Sequence, residues 1–112
     1  HDDAGEDKQA EAAYRKALEL NPEFGRAHHN LGILLKERGE FAAAQEALTD
    51  PTPEYQALYA DLRGDILRGQ EDITGAIRAY QEALGALLPG QEHYSSTLQL
   101  KIDNLSMGLG SR

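Results

Sequence analysis

The 112-residue sequence is 40% hydrophobic and 27% charged, an ordinary globular balance at a length that suits one domain with a modest core. Its formal net charge of −8 and pI near 4.8 argue against nucleic acid and against docking on anionic lipid, since both require clustered Lys and Arg. The lack of cysteine excludes disulfides, thiolate metal sites and cysteine nucleophiles, and no apolar run reaches the roughly 20 residues that cross a bilayer.

Six helices are expected in chain order. The first, near 6–20, belongs to a stretch (5–24) that reads as the second helix of a repeat whose first helix is absent. Its apolar face of Ala10, Tyr14, Ala17 and Leu18, with Ala13, has no preceding helix to cover it, which makes it the candidate surface for a homodimer. Helices two and three, near 25–38 and 41–49, form a repeat over 25–52, with Gly39 free to take the positive φ that stops the former. Pro51 and Pro53 end helix three early and start helix four, with Thr52 as N-cap and Pro53 at the first helical position. Helices four and five, near 53–69 and 73–87, make the next repeat over 53–88, and Asp72 opens the fifth. Pro89-Gly90 then breaks the chain. A capping helix follows at 91–107, with an apolar stripe of Tyr94, Leu98, Ile102 and Leu105, and Met107 to Arg112 are expected to fray.

Self-similarity ties these elements together. A shift of 34 maps Gly5 onto Gly39, Ala10 onto Ala44 and Tyr14 onto Leu48; a shift of 32 maps Gly32 onto Gly64, Leu35 onto Leu67, Phe41 onto Ile73, Ala44 onto Ala76 and Leu48 onto Tyr80. Small residues at Gly32 and Ala44 suit a close crossing of two antiparallel helices, and Leu31, Leu35, Phe41 and Leu48 fill the space between them. Asn30-Leu31-Gly32 through Gly39 and Ala44, with Ala17-Leu18-Glu19-Leu20-Asn21-Pro22, resembles the tetratricopeptide-repeat (TPR) consensus over residues 5 to about 88. The resemblance implies an all-α fold of stacked antiparallel helix pairs, a fragment of a right-handed superhelical solenoid that binds a peptide or protein on its concave face. The chain departs from the consensus in two respects. His28 and Ala60 stand where the first helix usually carries an aromatic, and one repeat closes on Asp50-Pro51-Thr52-Pro53.

The C-terminal half carries a narrower likeness. Tyr59-Ala60-Asp61-Leu62-Arg63-Gly64-Asp65-Ile66-Leu67, then Ala76 to Leu84, then Leu98-Gln99-Leu100-Lys101-Ile102-Asp103-Asn104-Leu105 resembles the YfgM family of ancillary Sec translocon subunits. That resemblance implies a bacterial, periplasmic domain tethered through an anchor outside this sequence and associated with chaperones of protein export.

On the concave wall, position assigns Arg26, His29, Asn30, Ile33, Lys36 and Glu37 from helix two to partner contact. From helix four it assigns Leu58, Asp61, Leu62, Asp65 and Arg68. A clamp for a peptide C-terminal carboxylate is not expected: Asn30 fits its central asparagine, but Leu58 and Leu62 supply neither donors nor positive charge. His28 and His29 point about 100° apart on a helix and cannot readily chelate one ion. Ser95 and Ser96 lie near His93 without an oxyanion site, and the glycines form no phosphate loop. Asp61 and Asp65, at i and i+4, are expected to be solvated rather than to act as acid and base. The sequence therefore points to an interaction module with no cofactor, metal or catalytic role. The alternatives are a cytoplasmic adaptor cut from a longer repeat array and a self-assembling structural domain.

Overall fold

The computed structural model describes residues 3–49 and 52–110. Six helices run α1 (Asp3–Leu20), α2 (Gly25–Glu37), α3 (Phe41–Ala47), α4 (Pro53–Gly69), α5 (Ile73–Gly85) and α6 (Ser95–Gly110), with a 3-10 turn at Glu92–Tyr94 before the last. No strand occurs among the described residues, and within each unit the helices pack against one another in the all-α manner of a TPR-like fold. Pro51 and the last two residues lie outside the described residues. Contacts divide the chain into two compact units, residues 1–52 and 53–112.

In the first unit α2 packs against both α1 and α3. Ala27, Leu31, Leu35, Ala44 and Leu48 are its buried apolar residues, with Gly25 and Gly32 buried beside them on α2, whereas Phe41 is half-buried. The end of α2 is set by Gly39 at φ +79°: its N–H donates to Lys36 O at 2.9 Å, and Glu40 N donates to Leu35 O at 2.9 Å. These two bonds form the Schellman closure, which needs a left-handed residue after the helix. Helix α3 is shorter than expected, ending at Ala47 rather than near Thr49, because Leu48 and Thr49 turn out of helix.

The second unit has the larger core. Ala57, Tyr59, Ala60, Leu62 and Ile66 of α4 are buried, as are Ala76, Ala79, Tyr80 and Ala83 of α5. Gly64 lets the helices meet. A Cβ built there would stand 2.6 Å from Cδ1 of Tyr80 and 2.9 Å from its Cζ, inside any real contact distance. Asp72 caps α5 as expected, its Oδ1 accepting from Gly75 N at 3.0 Å, a contact worth about 1 kcal/mol. Leu98 and Ile102 of α6 seat among Ala60, Ala76, Tyr80 and Ala83, with Leu105 packed alongside.

The approach to α6 differs from the expected continuous helix over 91–107. Gly90 sits at φ +94°, Glu92 accepts its N–H at 2.8 Å, and Gln91 Oε1 accepts Leu88 N–H at 2.9 Å. These side chains satisfy the turn and delay the α-helix to Ser95. Tyr94 therefore falls in the 3-10 segment and stays exposed, which removes it from the expected apolar stripe. At its other end α6 continues through Gly110, beyond the expected stop at Met107.

Candidate functional site

Helix α2 presents one face that its core does not use. Gly25, Ala27, Leu31, Gly32 and Leu35 turn inward, leaving Arg26 and Glu37 exposed and His29, Asn30, Ile33 and Lys36 half-buried. Arg26, Lys36 and Glu37 make no ion pair with any described residue. A single half-buried isoleucine set among charged and amide side chains offers one apolar anchor with polar surroundings. His28 is engaged elsewhere, its Nε2 lying 2.8 Å from Pro22 O.

The corresponding face of α4 is not open in the way the sequence suggested. Leu62 is only 4% exposed and belongs to the core, so it does not line a surface. Asp61 and Asp65 are half-buried and paired rather than freely solvated: Lys101 of α6 reaches both, with Nζ 2.7 Å from Asp61 Oδ1 and 3.2 Å from Asp65 Oδ1. Leu58 is half-buried and Arg68 exposed.

A polar cluster thus forms inside the second unit. The Tyr80 hydroxyl donates to Asp65 Oδ1, and the Lys101 ammonium lies 5.2 Å from the centre of the Tyr80 ring. Burial first, then the hydrogen bond to Asp65, pushes the Tyr80 pKa well above the usual phenol range, so Tyr80 keeps its proton to donate. For Lys101, burial works to lower the pKa, but hydrogen bonding to Asp61 and attraction to both carboxylates outweigh it. Lys101 is held charged. Tyr59, 1% exposed, is pushed up to about 12 by burial and then by Tyr55.

The first unit holds a second polar tie that the sequence did not reveal. Arg38, just after α2, pairs with Glu11 of α1 at 2.7 Å and with Glu40 at 3.0 Å, while Arg15 pairs with Glu11 at 2.8 Å. Beside it lies a groove of about 260 Å³, floored by Leu31, Leu35, Ala43 and Ala47 and edged by Arg15 and Glu46. On α1, Ala10, Tyr14, Ala17 and Leu18 are half-buried and Ala13 is exposed. Among the described residues no group of three or more His, Asp or Glu side chains is placed to hold a metal ion.

Short helix pairs joined by tight turns, with small residues in both cores and open helix faces, define a helical-repeat domain. Residues 3–107 match the family model described as a tetratricopeptide repeat-like domain, and the chain belongs to that family. Such domains are in general non-enzymatic scaffolds for protein–protein interaction. No match was found among curated proteins.

Proposed function

We propose that the chain holds a polypeptide segment against the outward face of α2, within a periplasmic chaperone or protein-export assembly. The supporting observation is the α2 face itself: Ile33 flanked by Arg26, His29, Asn30, Lys36 and Glu37, outside the core, with Arg26, Lys36 and Glu37 unclaimed by ion pairs to described residues. An extended or helical peptide uses such a face by burying one apolar side chain and satisfying its polar groups around it. On α4, in the second unit, Leu58 and Arg68 remain of the expected contact surface. Asp61, Asp65 and Leu62 are removed from it by their contacts within the second unit. The export setting rests on the likeness of residues 55–106 to the YfgM family, and the chain's charge of −8 favours partners that are basic or apolar.

Crosslinking capture with the native chain and an Ile33→Glu variant tests the reading. Capture of Sec channel subunits or periplasmic chaperones, reduced about tenfold or more by Ile33→Glu, is the expected result, since a buried charge at an anchor costs more than 1.4 kcal/mol. Capture of cytosolic proteins alone moves the domain to a cytoplasmic adaptor. Capture undiminished by Ile33→Glu rules out the α2 face.

A further inference from the structure

The cluster around Lys101 has the composition of a receptor. Two carboxylates one helical turn apart, Asp61 and Asp65, face the same ammonium, a ring face lies 5.2 Å away, and the Tyr80 hydroxyl holds Asp65 in place. Carboxylates and an aromatic face are the groups that recognise a primary ammonium. Beside them, Ala60, Ala76 and Ala83 leave a shallow apolar floor against Tyr80, and α6 fills it with Leu98 and Ile102. The docked side chains are Leu98, Lys101, Ile102 and Leu105, which read as apolar–x–x–Lys–apolar–x–x–apolar along one helix face. The opposite face of α6 is outward, with Leu100 at 59% and Met107 at 71% exposure. The segment joining α6 to α5 contains Pro89 and a left-handed Gly90 and no α-helix from 86 to 94.

We propose that the α4–α5 surface is a receptor for an amphipathic helix of a partner protein carrying this apolar–x–x–Lys–apolar–x–x–apolar pattern, and that α6 occupies it at rest as a built-in competitor. The proposal rests on the reading of the chain as a polypeptide-binding module, but it uses a different surface from α2. Charge complementarity selects the occupant. An acidic or neutral helix leaves Asp61 and Asp65 half-buried without a cation, Asp65 keeping only the Tyr80 hydroxyl, whereas a lysine at the third position after an apolar anchor restores both ion pairs. A tethered helix competes at an effective concentration in the mM range, so a free helix enters only if α6 is loosened or outmatched.

The test uses the full chain and a fluorescent peptide with the sequence of residues 91–110. Lys101→Glu places a like charge beside Asp61 and Asp65, which loosens α6 and leaves the receptor carboxylates intact. The peptide is expected to bind this variant about tenfold or more tightly than the native chain, with amide exchange in α6 rising in parallel. Asp61→Asn with Asp65→Asn in the same background should abolish the gain, and a peptide with its lysine replaced by glutamate should show none. Ile33→Glu should leave peptide binding unchanged, so failure here is distinguishable from failure of the α2 surface. If Lys101→Glu does not fold, Lys101→Met, which removes the charge at similar length, serves in its place with a smaller expected gain. The proposal is overturned if α6 stays protected, if neither variant gains affinity, or if the charge-reversed peptide binds equally well.

Discussion

Glu71 adopts the backbone conformation that Gly39 adopts, and the two positions are equivalent under the 32-residue shift of the repeat. Gly39 has φ +79° and Glu71 φ +66°. Glu71 N donates to Arg68 O at 3.0 Å and Asp72 N to Leu67 O at 2.8 Å, which is the same pair of closing bonds that ends α2. A side chain in the left-handed region costs about 1–2 kcal/mol, and glycine removes that cost while giving back some of it as unfolded-chain entropy. Glu71→Gly should therefore raise stability by roughly 0.5–1 kcal/mol, a rise of about 2–8 °C for a chain of this size. Thermal unfolding by circular dichroism reads it directly. An unchanged or lower melting temperature would mean the Glu71 side chain makes a compensating contact at the α4–α5 turn. The glycine at the next level of packing behaves oppositely: Gly64 cannot gain a Cβ without driving it into the Tyr80 ring. One glycine position in the repeat is thus a backbone requirement and the other a packing requirement.

At the scale of whole helices, the attachment of α1 depends on charge as well as packing. None of its residues from 5 to 20 is fully buried, and Arg38 holds Glu11 from just past the end of α2. Hydrogen bonds from Arg38 and then Arg15 draw the Glu11 pKa below its usual 4.5. A carboxyl whose pKa is lower in the folded chain stabilises it above the unfolded value and loses that contribution as pH falls through the folded value. Acidification below 4.5 should loosen α1, and Glu11→Gln should reduce stability near neutral pH while flattening the acid limb of the melting curve. Identical acid limbs for the two proteins would show that the tie carries no thermodynamic weight. Local signals made the helices legible in the sequence. Gly39, Pro53 and Asp72 mark ends that depend on the adjacent few residues, and the structure places them as read. The charged ties were not legible, because Lys101 meets Asp61 and Asp65 across 40 and 36 residues of sequence, and Arg38 meets Glu11 across 27. Periodicity along α4 shows which residues share a side, but not that α6 will return a lysine to that side. For the same reason Leu62 read as surface and proved to be core. The unit-one groove was hidden too, since its floor of Leu31 and Leu35 reads as ordinary core along α2.

Across the whole molecule, buried apolar residues are unevenly shared. The first unit buries five aliphatic side chains, of which Ala27 and Ala44 are only methyl-sized, whereas the second buries two entire tyrosines, Tyr59 and Tyr80, with Leu62, Ile66, Leu98 and Ile102. A fully buried aromatic side chain removes about 150–250 Å² from water, and burial at this density is what resists local opening. Native-state amide exchange should accordingly be slowest in α4 and α5 and fastest in α1 and α3, whose only fully buried residue within the helix is Ala44. Exchange in α1 should also depend little on low denaturant, the mark of a small local opening, while exchange in α5 should follow the slope of global unfolding. For a ligand on the proposed α2 face, this gradient predicts that protection rises most in the unit that opens first and that the second unit responds little. If α1 and α5 instead exchange with the same free energy and the same denaturant slope, the chain opens as one cooperative body. The difference in core size would then have no consequence for how binding is transmitted.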